Sequence, residues 1–537
     1  MRTARLQRTP LTDLCAALAA LTLAVLGARG LDPGTASARP NAGPAPTVRI
    51  ADGAVRGASS SGIDEFLGLP YAAPPIRNLR WRAPEPPAKW SGVRNAIRFG
   101  PSCPQAKSPF APPGPFSENC LYLNVYAPTI RHGSHHPVLV WIHGGGFTED
   151  GARNYDGSKL AADGVVVVTI NYRLGALGFL AHPALASRRG TAGNYGLMDQ
   201  IAALRWVKHN ISQFGGDPHN VTVAGQSAGG VSVLDLLVSR RSRGLFERAI
   251  VQSGAFALTQ QPLAAAEAAG EAFATKVGCP DQTARCLRHL PVAALVQNFP
   301  GAAIPGVVDG KILTQSIGTA LAAGHFARVP ILDGNNQDEE FIFVTGLHVT
   351  VSGGTFVPIP QEPVTPDSYQ PDIAATLGVT PARAATIAAE YPLDAFPVPD
   401  VALSTVMSDA NFACPALQVD RWTSKRVPTF AYQFNDTNAP ERFAPLPPAA
   451  THSSELQYLF EQPNTPIAGT LDPDQQALAA AMRKAWASFA AGGDPSTPAI
   501  AWPRFGRRER VMSLVPPAPR PRVGFAEAHR CSFWAAG

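Results

Sequence analysis

Gly225-Gln226-Ser227-Ala228-Gly229 is a G-x-S-x-G pattern. It follows the β-branched run Asn220–Ala224 and precedes Gly230–Val238, which suits a helix. A serine flanked by small residues at a sharp strand-to-helix turn projects its hydroxyl at the end of a sheet, where it can act as a nucleophile. The helix behind it directs its positive N-terminus at any oxyanion that develops. A second motif, His143-Gly144-Gly145-Gly146-Phe147, directly follows the apolar run Val138–Ile142. Consecutive glycines let a backbone turn so that N–H groups point into a site. With the Ala228 N–H they predict an oxyanion hole. A phosphate loop would end in Lys-Ser/Thr, which is absent here.

A nucleophilic serine needs a base, and the base needs an orienting carboxylate. Of the twelve histidines, His143 sits beside the glycine loop and reads as structural. His132, His135 and His136 lie in a polar stretch and read as solvated; His209, His219 and His289 read as sitting on helices or turns. His452 follows the strand-like Thr429–Phe434 across a Pro-rich loop, and a helical Glu455–Phe460 comes after it. That is the expected place for the base. The carboxylate lies among Asp338, Glu339 and Glu340, just past the strand at Ile331–Leu332, and spacing alone does not choose among them. The order Ser…Asp/Glu…His fits an α/β-hydrolase.

The elements that must hold these residues are legible as periodicity. Val138–Ile142, Val165–Ile170, Val221–Ala224 and Ala249–Val251 read as buried strands. Leu197, Ile201 and Leu204 mark a helix from about Met198 to Asn210; Leu478, Met482, Trp486 and Phe489 mark another over about Pro473–Ala491. The alternation predicts an α/β fold with a mostly parallel central sheet flanked by helices. Residues 340–412, Pro-rich and weakly periodic, read as a helical and loop insertion over the sheet's edge.

Composition narrows the function. The 537 residues are 45% hydrophobic and carry a net charge of only +5, too dispersed for a nucleic-acid partner. Arg2, Arg5 and Arg8 precede the apolar run Leu14–Leu26, and Ala36-Ser37-Ala38 offers a cleavage site. Residues 1–38 therefore read as a signal peptide, 39–47 as a linker and 48–537 as one domain, secreted or periplasmic. No other apolar run is long enough for a membrane span. Setting Cys15 aside leaves an even set of six cysteines. Local spacing favours Cys103–Cys120 and Cys279–Cys286, which leaves Cys414–Cys531. With no CxxC or HExxH, neither a metal nor a cofactor is expected.

The chain resembles the type-B carboxylesterases, a family that includes bacterial para-nitrobenzyl esterases and, more distantly related, cholinesterases. The resemblance runs from about Val48 to Trp534. It rests on Phe66–Ala72 with Leu79-Arg80-Trp81, Glu118–Val125, the HGGGF motif, Gly193–Gln200, and Phe214–Pro218 leading into GQSAGG. It implies Ser227 as nucleophile, Gly145, Gly146 and Ala228 as oxyanion donors, and Ser253 as a supporting serine. Asn336-Gln337-Asp338-Glu339 resembles the family's N-x-D-E, which implies Glu339 as the acid. His452-Ser453-Ser454-Glu455-Leu456 resembles its H-G-x-E-L, which implies His452 as the base. It also supports the three cysteine pairs. The implied activity is hydrolysis of small-molecule carboxylic esters through an acyl-enzyme, without cofactor. A lipase, a cholinesterase-like enzyme, a polyester or toxin esterase, and an inactive adhesion protein on the same fold are the alternatives. Four positions depart from the pattern. Gln226 stands where cholinesterases carry Glu, Ser453 and Glu340 each replace a usual Gly, and Arg77 stands where P-P-x-G expects Gly.

Overall fold

The computed structural model describes residues 45–536, apart from 109, 132, 187–191, 300–305, 347–348, 353–354, 359–362, 442–447, 463–464 and 466–467. The signal segment, most of the linker and His132 lie outside the described residues.

The main sheet has eleven strands. In chain order they are β1 (Ala58–Ser60), β2 (Ile63–Pro70), β3 (Tyr122–Pro128), β4 (His136–Ile142), β5 (Val166–Ile170), β6 (Gly216–Gln226), β7 (Arg248–Gln252), β8 (Ile331–Asn336), β9 (Thr429–Phe434), β10 (Val511–Leu514) and β11 (Arg520–Arg522). They lie side by side as β11-β10-β9-β8-β7-β6-β4-β5-β3-β2-β1. From β5 across to β10 all neighbours are parallel, and antiparallel strands close both flanks. Three disulfides join Cys103 to Cys120, Cys279 to Cys286 and Cys414 to Cys531. Among the described residues no helix is long and apolar enough to cross a membrane.

Side-chain alternation divides each central strand between two cores. Val138, Val140 and Ile142 of β4 join one core. There they meet Leu197, Ile201 and Leu204 of helix α1 (Tyr195–Asn210) and Val231 and Leu234 of helix α2 (Ala228–Val238). Leu139 and Trp141 face the opposite core. It is filled by Leu478, Met482, Trp486 and Phe489 of a 20-residue helix, Pro473–Gly492. That helix starts where Asp472 and Gln475 form a capping box around Pro473, and stops at Gly493, whose φ is 77°. Burial on both faces is why these strands read as continuous apolar runs.

Among the described residues, the insertion between β8 and β9 places the helices Phe341–Gly346, Tyr369–Leu377, Pro381–Glu390 and Pro399–Ser408 around a small core that includes Val344, Ile373, Ile387 and Val406. It also contains an antiparallel strand pair, Val349–Ser352 with Thr355–Pro358, which the reading of this segment as helices and loop misses although two β-branched runs flank a Gly-Gly there. A π-helical turn, Asp409–Ala413, leads from Pro399–Ser408 into the helix Cys414–Thr423. This turn is pinned from the C-terminal segment. Asp409 Oδ1 lies 2.5 Å from His529 Nδ1, and Asp409 Oδ2 accepts from Tyr391 OH, which accepts from Trp534 Nε1. The Cys414–Cys531 disulfide sits beside it. The insertion thus extends past the sheet's edge to the C-terminal ends of the strands.

Candidate active site

Ser227 stands alone between β6 and α2 with φ 56° and ψ −123°, a left-handed conformation that costs a non-glycine residue on the order of 1–3 kcal/mol. Its glycine neighbours are sterically required. A Cβ on Gly229 would come within 2.0 Å of the Ile142 carbonyl, and one on Gly225 within 2.4 Å of the Gly229 carbonyl. Close strand-to-helix contact therefore fixes the turn and directs the serine outward. Ser227 N–H donates to the Gln252 carbonyl at 2.9 Å, which ties the turn to β7.

The glycine loop faces this turn. Gly145 and Gly146 have φ of 82° and 57°, and a Cβ on Gly145 would meet the Glu149 carbonyl at 2.3 Å. The Gly145 carbonyl accepts from Thr148 N–H and Glu149 N–H, both at 3.0 Å. Among the described residues, the N–H groups of Gly145, Gly146 and Ala228 have no protein acceptor. His143 supports the loop from beneath. Its ring stacks on Tyr172 at 4.5 Å, its Nδ1 lies 3.1 Å from the Gly144 carbonyl, and burial lowers its pKa.

The loop after β8 and the loop carrying His452 run side by side. Asp338 N–H donates to the Ala450 carbonyl, and His452 N–H to the Glu339 carbonyl at 3.2 Å. This pairing separates the three neighbouring acids. Asp338 Oδ2 accepts from Ala450 N–H at 2.9 Å, and Glu340 Oε1 accepts from Asn411 Nδ2 at 2.8 Å. Glu339 alone meets the imidazole, with Oε2 2.5 Å from His452 Nδ1, while its Oε1 accepts from Asn336 N–H at 2.7 Å. Phe343 and Phe412 pack on the ring with centroids at 5.3 and 5.4 Å. The ring's other nitrogen, Nε2, lies 3.1 Å from Gln226 Nε2, which also donates to Ser453 Oγ at 2.8 Å. Among the described residues no hydrogen bond joins Ser227 Oγ to His452; such contacts often tighten only when substrate is bound.

The site is rich in buried acid. Glu455 Oε1 accepts from Gln252 Nε2 and its Oε2 from Asn336 Nδ2, yet burial and then Glu339 push its pKa up to about 7. Burial raises Glu340 to about 7 as well. Burial alone would lower the pKa of His452, but Glu339, Glu455 and Glu340 outweigh it and raise the ring. Ser253 follows β7 with φ 48°, and its N–H donates to the Gly334 carbonyl. The grouping among the described residues with a metal-ligand composition is Cys279, Asp281 and Cys286, and its two sulfurs are bonded to each other.

The sequence patterns bring out Ser227, His452 and the glycine loop. They do not reveal that Gln226 reaches the imidazole, or that Glu455 and Asn336 form its surroundings. Glu455 lies inside the His452-Ser453-Ser454-Glu455-Leu456 motif, which is the one signal that could have found it.

A carboxylesterase family model matches residues 44–534. Cocaine esterase of Oryctolagus cuniculus is 36% identical over 506 residues, covering 89% of this chain and 92% of the relative. Para-nitrobenzyl esterase of Bacillus subtilis (strain 168) is 33% identical, covering 86% of this chain and 93% of the relative. A solved PNB esterase structure superposes with a TM-score of 0.76 at 31% identity, over 90% of this chain and 98% of that one. The fold is that of the α/β-hydrolases.

Proposed function

Because the chain belongs to the carboxylesterase family and is a carboxylic ester hydrolase, we propose that it cleaves esters with a Ser227–His452–Glu339 triad. His452 Nε2 takes the Ser227 proton as Oγ attacks the ester carbonyl. The oxyanion is held by the N–H groups of Gly145, Gly146 and Ala228. The tetrahedral intermediate collapses to an acyl-enzyme while His452 passes the proton to the leaving alcohol. Water, deprotonated by the same ring, then releases the acid and restores the serine. Glu339 keeps the proton on Nδ1 and stabilises the imidazolium that forms twice per cycle. Ser253 supports the nucleophile turn from β7.

The observation that carries this reading is the 2.5 Å contact of Glu339 Oε2 with His452 Nδ1, on a ring whose other nitrogen lies 3.1 Å from Gln226, the residue before a serine held in a left-handed turn. The test is Ser227→Ala. It is expected to retain the fold and lower kcat on the order of 10⁴–10⁶-fold, and an organophosphonate should label only Ser227 of the wild type. More than a tenth of the activity remaining, or label on another residue, would refute the triad.

Export from the cytoplasm belongs to the same proposal. Three disulfides support an oxidising compartment, and the Arg-then-apolar start supports a cleaved leader. Residues 48–537 then form one hydrolase unit. Mass spectrometry of the mature protein should find its first residue near Arg39.

A further inference from the structure

Gln226 and Ser453 both depart from the family pattern, and they are bonded to each other. The Gln226 side chain ends 2.8 Å from Ser453 Oγ and 3.1 Å from His452 Nε2. For the neutral ring, hydrogen-bond chemistry decides which half of the amide faces it. A ring that is to act as base needs a lone pair on Nε2, and with Nδ1 against Glu339 its one proton then sits on Nδ1. Only the NH₂ group of Gln226 can then lie against Nε2, and its second hydrogen serves Ser453 Oγ. Gln226 is buried. Ser453 takes φ 71°, a conformation better suited to glycine, and its hydroxyl holds the amide in this place.

The groups around the ring show what such a donor does. The loop after β8 contributes Glu339 and Glu340, and the 3₁₀ turn Ser454–Tyr458 contributes Glu455. Phe343 and Phe412 add no charge, and Asn411 is occupied with Glu340. The acids in their ionised form, Glu339 first, therefore favour the imidazolium, which cannot accept a proton from Ser227. A protonated Nε2 would face the hydrogens of the Gln226 amide as it is placed here, so this orientation of the amide favours the neutral ring.

We propose that Gln226 is a positioning residue that holds His452 as a neutral base in the resting enzyme, its amide anchored by Ser453. The ring leaves Gln226 for Ser227 Oγ when the proton is transferred, and the amide stays on Ser453. A carboxylate at position 226 would do the reverse and hold the proton on Nε2.

This proposal rests on the triad reading, and its test separates the two. The kcat/KM of phenyl acetate is measured against pH for the wild type, Gln226→Ala, Gln226→Glu and Ser453→Gly, with active sites counted by phosphonate titration. The acid limb of Q226A is expected to move up by about half a pH unit or more, roughly a threefold loss below the limb, with the plateau retained. Q226E, nearly isosteric, should move it up by about one unit or more, roughly tenfold. S453G should shift it in the same direction by less. Limbs that coincide with the wild type in Q226A and Q226E, or that move down, would overturn the role of Gln226 and leave the triad standing. Phosphonate that does not label Ser227 would overturn both.

Discussion

Replacing Glu339 by Gln keeps the side-chain shape and removes one charge, and the structure gives the consequence atom by atom. Glu339 Oε2 meets His452 Nδ1 at 2.5 Å, and Oε1 accepts from Asn336 N–H at 2.7 Å. Glu339 is fully buried, so water does not substitute for either partner. A glutamine has one oxygen for two donors. If that oxygen serves the imidazole, its NH₂ opposes the Asn336 N–H. An unsatisfied buried donor of this kind costs about 1–3 kcal/mol. If the oxygen serves Asn336, the NH₂ faces Nδ1, and the ring turns to the tautomer that carries its proton on Nε2. That tautomer cannot accept from Ser227. Either arrangement also loses the charge that stabilises the imidazolium. E339Q should therefore lower kcat on the order of 10²–10⁴-fold. Asp338→Asn and Glu340→Gln touch other partners, Ala450 and Asn411, and should each cost less than tenfold. Steady-state hydrolysis of phenyl acetate, with active sites titrated and folding checked by circular dichroism, measures all three. A loss below tenfold in E339Q, or a larger loss at Asp338 or Glu340, would refute this account of the acid.

The kcat/KM profile should fall on the acid side with a limb above the ordinary histidine value, because Glu339, Glu455 and Glu340 together outweigh burial at His452; a flat profile would exclude a histidine base. Asp333 on β8 and Asp420 are fully buried acids held well above the ordinary aspartate value, first by burial and, for Asp420, then by Asp333. A folded pKa raised in this way gives stability that is present below the unfolded value of 3.8 and lost as pH rises through the folded one. Asp333→Asn should accordingly raise Tm more at pH 8 than at pH 5, by ~1–2 kcal/mol of stability, and scanning calorimetry showing no gain at pH 8 would contradict it. Butyrylcholine should be no better by kcat/KM than its neutral isostere 3,3-dimethylbutyl butyrate, because the Cys103–Cys120 loop carries Phe110 and Phe116 but no Trp, and Gln226 is neutral. A preference for the cation above about tenfold would refute this.

Burial explains which parts of the fold are legible in sequence. Strands β4 to β9 are buried on both faces, so their apolar runs stand out at once. Their polar ends do not. His136, read as solvated, opens β4 with Nδ1 3.1 Å from the Gly164 carbonyl, and His219 lies within β6, which starts at Gly216. The strand pair in the insertion is signalled by a Gly-Gly between two short β-branched runs rather than by any long apolar period. At the site, serine and glycine loop are fixed by local geometry and are readable in a few residues. Choosing Glu339 from three consecutive acids needs the pairing of two loops more than a hundred residues apart, which only the family motif encodes. The Gln226–Ser453 contact spans 227 positions, and neither residue alone announces it.

The fastening of the Asp409–Ala413 turn has a consequence for how this enzyme is made and kept. Phe412, on that turn, is one wall of the pocket around His452, and its anchors are His529, Cys531 and Trp534. A chain that ends between Leu514 and His529 still contains Ser227, Glu339 and His452, but the clasp on that wall is gone. Copies that end short of His529 would keep all three residues proposed as the triad and lose the wall beside them, whereas copies clipped near residue 520 would keep that wall for as long as the Cys414–Cys531 bridge holds the severed piece in place.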